Sequence, residues 1–208
     1  RKVCNRHTGI GADQMLLISK SRKGDFMMRA FNPDGTETEM CGNGIRCAAK
    51  FIKEYKLSAK KELLIETLAG LKTVKSVGNQ FEVDMGEPIM KGKEIPVNLS
   101  GRIINRPLKT ESKDFRITCL SVGNPHCITF HEELKDLPIE KFGPMLETYS
   151  ILPKKANISF VNVVSKKELQ LRVWERGAGE TLGCGTAACA SAVASVLNGF
   201  TDRKVTVV

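Results

Sequence analysis

The first half of the chain is predicted to be mostly strand, with one helix in the middle. Short runs rich in apolar and β-branched residues predict five strands, over 14–19, 26–31, 62–68, 71–77 and 80–85. Apolar side chains recur every three or four positions over 43–56, which predicts an amphipathic helix there. The second strand ends in the turn sequence Asn32-Pro33-Asp34-Gly35, and Gly78-Asn79 fits the two-residue turn of a hairpin.

The second half repeats this strand-rich pattern. It is predicted to contain strands near 115–122, 126–130, 158–164 and 168–175, and helical stretches over 131–148 and 186–198. Gly199 is the predicted C-terminal cap of the last helix. Because the pattern breaks at Gly86-Glu87-Pro88, we place a domain boundary there, which gives an N-terminal domain over 1–86 and a C-terminal domain over 87–208.

A short motif recurs at the start of the helix at 43–56 and of the helix at 186–198. Met40-Cys41-Gly42-Asn43-Gly44 opens the first, and Gly183-Cys184-Gly185-Thr186 opens the second. Each helix then carries one further cysteine in its interior. The two halves therefore resemble diverged copies of one unit.

A cysteine at the start of a helix has specific chemical uses. The first turn of a helix presents backbone N–H groups and a partial positive charge, which lower the pKa of a nearby thiol and bind a carboxylate. Two such helix starts that face each other would hold one substrate carboxylate, with the sulfurs of Cys41 and Cys184 on opposite faces of its α-carbon. One thiolate would remove the α-proton and the other thiol would return a proton, which inverts the carbon. Four of the other cysteines are interpreted as small apolar fillers: Cys4, Cys47, Cys119 and Cys189.

Other polar residues lie near these motifs in the sequence. Gly123-Asn124-Pro125-His126 follows a predicted strand and is typical of a turn. Glu175-Arg176 leads through a glycine-rich stretch to Cys184, which places an acid and a fixed cation beside the second thiol. Such pairs usually lie solvated on a surface, but the glycines favour a loop beside a ligand. His7 and His131 have no motif around them and are interpreted as surface residues.

Composition narrows the classes of function. Lys and Arg exceed Asp and Glu by 32 to 23, but the basic residues are dispersed and only 6% of residues are aromatic, which disfavours nucleic-acid binding. The apolar runs are only a few residues long, so no membrane span is expected. Seven cysteines without a C-x-x-C spacing predict free thiols in a reducing compartment and give no sign of a metal site.

Together these motifs closely resemble the diaminopimelate epimerase family. The segments that carry the resemblance are 11–14, 31–35, 40–44, 123–126, 156–157 and 175–186. They occur in the family's order and span nearly the whole chain. Proline racemases and the phenazine-pathway isomerases share the fold that this resemblance implies, but they lack the Glu-Arg-Gly-Ala-Gly-Glu-Thr stretch found here at 175–181.

The resemblance implies an α+β fold of two pseudo-symmetric domains, each a mixed β-sheet or barrel around a central helix, with the active site in the cleft between them. It implies an isomerase that interconverts LL- and meso-2,6-diaminopimelate without any cofactor or metal, for lysine and peptidoglycan precursor biosynthesis in the cytoplasm. The expected partner is the small-molecule substrate, not a nucleic acid or a membrane. A homodimer is left open.

The resemblance also implies a role for each residue of the site. Cys41 and Cys184 are the two-base pair, and His126 and Glu175 tune the pKa values of the thiols. Substrate contacts are expected at Gln14, Asn32, Gly42, Asn43, Asn124, Asn157, Glu175, Arg176, Gly185 and Thr186. In this set the backbone N–H groups at the two helix starts bind the reacting carboxylate. The distal amino-acid end is bound by Asn32, Asn157, Glu175 and Arg176.

Two departures from the family pattern stand out. The chain opens at Arg1 without the family's Gly-Asn-Asp-Phe motif and stops in the strand-like run 205–208, so we expect the start of the first domain and the end of the second to be missing. Ala187 stands where family members often carry glycine, which weakens the argument for close backbone approach at the second helix start.

Three alternatives stay open on the sequence. A racemase of another amino acid, such as proline or hydroxyproline, would keep the thiol pair but would not need Arg176 for a distal carboxylate. A binding protein would keep the fold without the chemistry. A thiol hydrolase would pair Cys41 with His126 as nucleophile and base, although this leaves Cys184 without a role.

Overall fold

The computed structural model describes all 208 residues and divides them into two units, Arg1–Gly86 and Glu87–Val208. Each unit has its own mixed β-sheet and its own 13-residue helix with a cysteine at the N-cap. This architecture agrees with the predicted α+β class. None of its helices has the length and apolar character that a membrane span requires.

The first unit contains six strands and one helix. They are β1 (Met15–Lys20), β2 (Phe26–Phe31), β3 (Glu37–Thr38), α1 (Gly42–Glu54), β4 (Glu62–Thr67), β5 (Gly70–Val77) and β6 (Gln80–Asp84). The sheet order is β1-β2-β4-β5-β6, with β3 paired to β2, and only the pairing of β2 with β4 is parallel. Val77 pairs with Gln80 across Gly78-Asn79, which confirms the predicted hairpin. The positive φ of Gly78, 59°, meets the requirement of such a turn.

Helix α1 packs one apolar face into the core of the first unit. The predicted spacing of three and four residues is observed at its buried positions, Ile45, Ala48, Ala49 and Ile52. These side chains join Ile65 and Val74 of the sheet in one core cluster. Cys47 lies off this face and is exposed, so the prediction that it is a buried filler is wrong.

The second unit contains seven strands and two helices. They are β7 (Ile103–Leu108), β8 (Phe115–Ser121), β9 (Pro125–Phe130), α2 (Ile139–Glu147), β10 (Asn157–Ser165), β11 (Glu168–Glu175), β12 (Gly179–Thr181), α3 (Gly185–Leu197) and β13 (Thr206–Val207). The sheet order is β12-β11-β10-β9-β8-β7, with β13 beside β11. The pairings of β9 with β10 and of β11 with β13 are parallel, and the others are antiparallel.

Helices cover both faces of this second sheet. On one face, Ala190 and Ala194 of α3 pack with Leu120, Ile128 and Val161. On the other face, α2 packs through Phe142 and Leu146 into a separate cluster. Because successive side chains of a strand point to opposite faces, β8 and β9 are buried along nearly their whole length, and β10 is buried over its first five residues.

The helix predicted over 131–148 is wrong at its start, and strand β7 was not predicted. Helix α2 begins only after Pro138, and a proline disfavours the helical conformation of the residue before it. Strand β7 contains Pro107 and also Asn105, whose φ is 52°. Its pairing with β8 is irregular between Ile103 and Arg106, so it lacks the alternating pattern of a regular strand.

His131 is not a surface residue, contrary to the sequence interpretation. Its ring lies among those of Phe115 and Phe160, and its Nε2 is buried without a hydrogen-bond partner. Burial, and then the charge of Lys113, lowers the pKa of His131 to about 4, so its ring is neutral at neutral pH.

Gly143 of α2 lies directly against Trp174. A Cβ built on Gly143 would lie 2.5 Å from Cγ of the indole, which is closer than packed atoms approach. We therefore expect Gly143→Ala to lower the free energy of unfolding by about 1–3 kcal/mol, the usual cost of overpacking. Urea denaturation measures this. The control is Gly183→Ala, since a Cβ there meets no atom within 4 Å. Equal stability of the two variants would contradict the prediction.

Candidate active site

Cys41 is the N-cap of α1. Its backbone is extended, with φ −133° and ψ 111°, and its Sγ accepts a hydrogen bond from the Gly44 N–H at 3.2 Å. The usual N-cap acceptor is a side-chain oxygen, which the sulfur replaces here. A Cβ on Gly44 would lie 3.1 Å from this sulfur and 3.0 Å from Cδ2 of Leu16, so a larger residue would displace the thiol.

The polar residues predicted for the first unit form two hydrogen-bonded groups. Gln14 Nε2 donates to Asn32 Oδ1 at 2.8 Å, and Asn32 Nδ2 donates to Thr36 Oγ1 at 3.1 Å. Asn43 accepts a hydrogen bond from Nη2 of Arg46. The first group orients the amides of Gln14 and Asn32, while the second orients the side chain of Asn43 at the helix start.

Cys184 is the N-cap of α3 and has nearly the same backbone as Cys41, with φ −123° and ψ 113°. In both helices the first main-chain bond runs to the carbonyl of the capping cysteine, from Ile45 at 3.0 Å and from Ala188 at 2.9 Å. The earlier N–H groups precede this hydrogen-bond series and point along the helix axis toward its N-terminal side. They include those of the predicted carboxylate-binding residues, Gly42, Asn43, Gly185 and Thr186.

A series of polar side chains leads from Cys184 into the second unit. The Cys184 sulfur lies 3.3 Å from Thr186 Oγ1, which accepts a hydrogen bond from Asn124 Nδ2 at 3.3 Å. Asn124 Oδ1 lies 2.9 Å from His126 Nε2. Because an amide oxygen only accepts, His126 carries its proton on Nε2. When Cys184 is ionised its sulfur can only accept, so the hydroxyl hydrogen of Thr186 is then directed at the sulfur.

His126 is fully buried and neutral. Burial, and then the charge of Arg176, lowers its pKa to about 3. Its Nδ1 is buried without a hydrogen-bond partner, and its Nε2 is engaged by Asn124. His126 is therefore a weak base that reaches Cys184 only through Asn124 and Thr186, which argues against a hydrolase in which it activates a thiol.

Glu175 and burial together keep Cys184 protonated. Burial of the thiol, and then the negative charge of Glu175, raises the pKa of Cys184 to about 12, while the hydrogen bond from Thr186 opposes this shift. Thr181 Oγ1 holds the carboxylate of Glu175 through a hydrogen bond of 2.5 Å. A lowered pKa was expected from the helix start alone, so at Cys184 burial and the carboxylate outweigh the helix dipole.

The polar residues of the second unit meet because three strand ends share one edge of the sheet. Strands β9 and β10 are parallel, with His126 opposite Asn157, and the antiparallel β11 ends at the same edge with Glu175. Asn157 Nδ2 donates to the carbonyl of Pro125 at 3.1 Å, and its Oδ1 accepts the N–H of Arg176 at 2.9 Å. Alternation along the strands puts the side chains of His126, Asn157 and Glu175 on the face that packs against α3.

Glu147 also lies at this edge of the sheet, but no pattern in the sequence marks it as a site residue. It is the last residue of α2, and its carboxylate accepts hydrogen bonds from Trp174 Nε1 at 2.9 Å and from the Gly177 N–H at 3.1 Å. Lys155 Nζ lies 3.4 Å from the same carboxylate. Only the folding of α2 onto the sheet brings Glu147 beside the Glu175-Arg176 motif.

Comparison with known proteins gives one consistent family. The chain matches the family model described as diaminopimelate epimerase over residues 1–91 and 118–208. It is 47% identical to the diaminopimelate epimerase of Acetivibrio thermocellus, covering 100% of this chain and 76% of the relative. It is 48% identical to that of Methanococcus maripaludis, covering 100% of this chain and 77% of the relative.

Solved structures of lower identity share the fold. A hydroxyproline epimerase from Agrobacterium vitis superposes with a TM-score of 0.66 at 14% identity, over 97% of this chain and 65% of the other. A phenazine biosynthesis protein of the PhzF family from Bacillus anthracis gives a TM-score of 0.58 at 22% identity, over 89% of this chain and 67% of the other. These likenesses confirm the predicted fold class.

Two substitutions are expected to change the reactivity of Cys184 in opposite directions. Glu175→Gln removes a charge that raises the pKa of Cys184, so more thiolate forms and alkylation by iodoacetamide at about pH 8 accelerates about threefold or more. Thr186→Val removes the hydrogen-bond donor to the sulfur and slows alkylation. Mass spectrometry of the Cys184 peptide after timed alkylation measures both rates.

The exposed Cys47 is the internal control for both variants, since it lies in the other unit and its alkylation rate should stay constant. A change of Cys184 reactivity in the same direction in Glu175→Gln and Thr186→Val would refute the assigned electrostatics.

Proposed function

This chain belongs to the diaminopimelate epimerase family, which interconverts LL- and meso-2,6-diaminopimelate, and we propose that Cys41 and Cys184 transfer the protons in this reaction. The family makes the protein an isomerase of lysine biosynthesis. The observation that carries the proposal is the matched pair of N-cap cysteines, one in each unit, at the starts of two helices of equal length.

The proposed reaction is a proton exchange at the α-carbon. The thiolate of one cysteine takes the α-proton, and the electron pair of the broken C–H bond stays on the carbon and spreads into the carboxylate. The thiol of the other cysteine then donates its proton to the opposite face. The first sulfur ends as a thiol and the second as a thiolate, so the reverse reaction starts from the opposite charge state.

Negative charge builds on the substrate carboxylate during this exchange, and we assign its stabilisation to the two helix starts. The proposal uses no pyridoxal cofactor as an electron sink, so the stabilisation has to come from fixed dipoles. The proposed donors are the first N–H groups of each helix, on Gly42, Asn43, Gly185 and Thr186.

We assign the distal amino-acid group of the substrate to Asn32, Asn157, Glu175 and Arg176, with Gln14 and Asn124 lining the site. A guanidinium binds a carboxylate through two hydrogen bonds, and a carboxylate binds an ammonium group. An ammonium group beside Glu175 would offset the charge that raises the pKa of Cys184. In this proposal the effect of Glu175 on the pKa of Cys184 therefore becomes smaller when substrate binds. His126 acts on the Cys184 thiol through Asn124 and Thr186.

We place the enzyme in the cytoplasm, because two catalytic thiols among seven free cysteines require a reducing compartment. A homodimer is one assembly that the family resemblance allows, and sedimentation equilibrium measures it.

Removal of either thiol is expected to abolish epimerisation. In deuterated water the enzyme should replace the α-proton of LL-diaminopimelate by deuterium and form the meso isomer. Cys41→Ala and Cys184→Ala each lack one of the two bases, so kcat should fall by about 10³-fold or more. Proton NMR follows the α-proton signal, and chiral chromatography follows the isomers.

Cys47→Ala is the matched control, because this thiol lies on the same helix as Cys41 but is exposed and outside the proposed site. It should retain activity. Full conversion by Cys184→Ala would disprove the two-thiol mechanism. Exchange of another amino acid, with none of diaminopimelate, would disprove the proposed substrate contacts.

A further inference from the structure

We infer that Glu147 is a positioning residue for substrate recognition, which holds the main chain around Arg176 and thereby the guanidinium. The inference rests on the proposed function, in which Arg176 binds the distal carboxylate. Glu147 itself is not assigned any contact with the substrate.

Both carboxylate oxygens of Glu147 are used within the second unit. Oε2 accepts the indole N–H of Trp174, and Oε1 accepts the main-chain N–H of Gly177, at 2.9 and 3.1 Å. Oε1 also lies 3.4 Å from Lys155 Nζ. Only 6% of the residue is exposed, and a buried carboxylate is costly unless such partners satisfy it. One side chain thus joins the residues on either side of the Glu175-Arg176 pair.

The segment that Glu147 holds is the glycine-containing turn between β11 and β12. Gly177 and Gly179 have φ values of 75° and 86°, and a Cβ on Gly177 would meet no atom within 4 Å. Glycine leaves the main chain many alternatives, so the position of Arg176 depends on its neighbours' hydrogen bonds. They include the bond from its own N–H to Asn157 Oδ1 at 2.9 Å, the bond from the N–H of Gly177 to Glu147, and the turn bond from the N–H of Ala178 to the Glu175 carbonyl at 3.1 Å.

The carboxylate of Glu147 does not stabilise its own helix. It is the last residue of α2, where the partial negative charge of the helix end disfavours a carboxylate. Its favourable contacts are therefore those with Trp174, Gly177 and Lys155. Trp174 points to the α2 face of the sheet and Glu175 to the opposite face, so Glu147 fixes the strand end from the side away from the site.

The test is Glu147→Gln, which keeps the shape but leaves only one carbonyl oxygen. That oxygen can accept from Gly177 or from Trp174, and the new amide then faces the other donor. We expect the KM for diaminopimelate to rise about tenfold with a smaller change of kcat, because a displaced binding group costs one to two orders of magnitude. Lys155→Met, which removes only the half-exposed ion-pair partner, is the control and should change KM less than about twofold.

A double-mutant cycle with Arg176→Ala separates positioning from general destabilisation. If Glu147 acts through Arg176, Arg176→Ala alone raises KM and Glu147→Gln adds little to it. Full additivity of the two losses would overturn the inference, as would an unchanged KM in Glu147→Gln. An unchanged KM in Arg176→Ala would reject the distal role of Arg176 itself, and the inference with it.

Trp174→Phe is expected to rescue the KM of the Glu147→Gln variant. In the double variant no indole N–H faces the side-chain amide at position 147. The side-chain carbonyl at that position can therefore accept the N–H of Gly177. We therefore expect the KM of the Glu147→Gln, Trp174→Phe double variant to approach that of Trp174→Phe alone. A double variant that is worse than both single variants would contradict the geometry and overturn the inference.

Discussion

The N-cap of a helix is usually occupied by a side-chain oxygen, and in this chain sulfur occupies it twice. This substitution constrains the residues around each thiol. At the first helix the N–H of Gly44 comes within 3.2 Å of the Cys41 sulfur, and a Cβ on that glycine would meet the sulfur. At the second helix the hydroxyl oxygen of Thr186 lies 3.3 Å from the sulfur of Cys184. Each helix is in turn fixed by its buried face, so the core holds the position of each thiol.

The surroundings of Cys184 favour its protonated form. Cys184 is buried beside Glu175, and both effects favour the neutral thiol, while Thr186 favours the thiolate. A two-base reaction needs one protonated and one deprotonated sulfur at its start. In the proposed function a substrate ammonium would neutralise the charge of Glu175, and the same carboxylate would then link binding of substrate to release of the thiol proton. His126 is buried and neutral, and its Nε2 lies 2.9 Å from Asn124 Oδ1.

Local patterns predicted the regular elements well, and long-range contacts account for most errors. Strands β2 and β11 have the predicted bounds, because alternation and a following turn both mark them. The two helices that begin at a cysteine were likewise predicted, from the Cys-Gly motif at each start and from the residue pattern that follows it. Glu180 shows what a motif alone misses: it lies in the predicted ligand loop, yet it forms a two-point ion pair with Arg172, at 2.8 and 3.1 Å. The roles of Glu147 and His131 also depend on elements that are distant in sequence, and no local pattern carries that information.

The groups proposed to transfer protons and the groups proposed to bind the distal end of the substrate lie on different kinds of structural element. The thiols and the N–H groups proposed to bind the carboxylate belong to helix starts, whose geometry follows from the fold. Of the groups proposed to bind the distal end, Glu175 is the last residue of β11 and Arg176 follows it in a glycine-rich turn, where Asn157, Thr181 and Glu147 accept or donate hydrogen bonds. In the proposed function, changes in this turn act first on recognition of the distal end. A fold of this kind can therefore keep one proton-transfer arrangement while the substrate that it accepts changes.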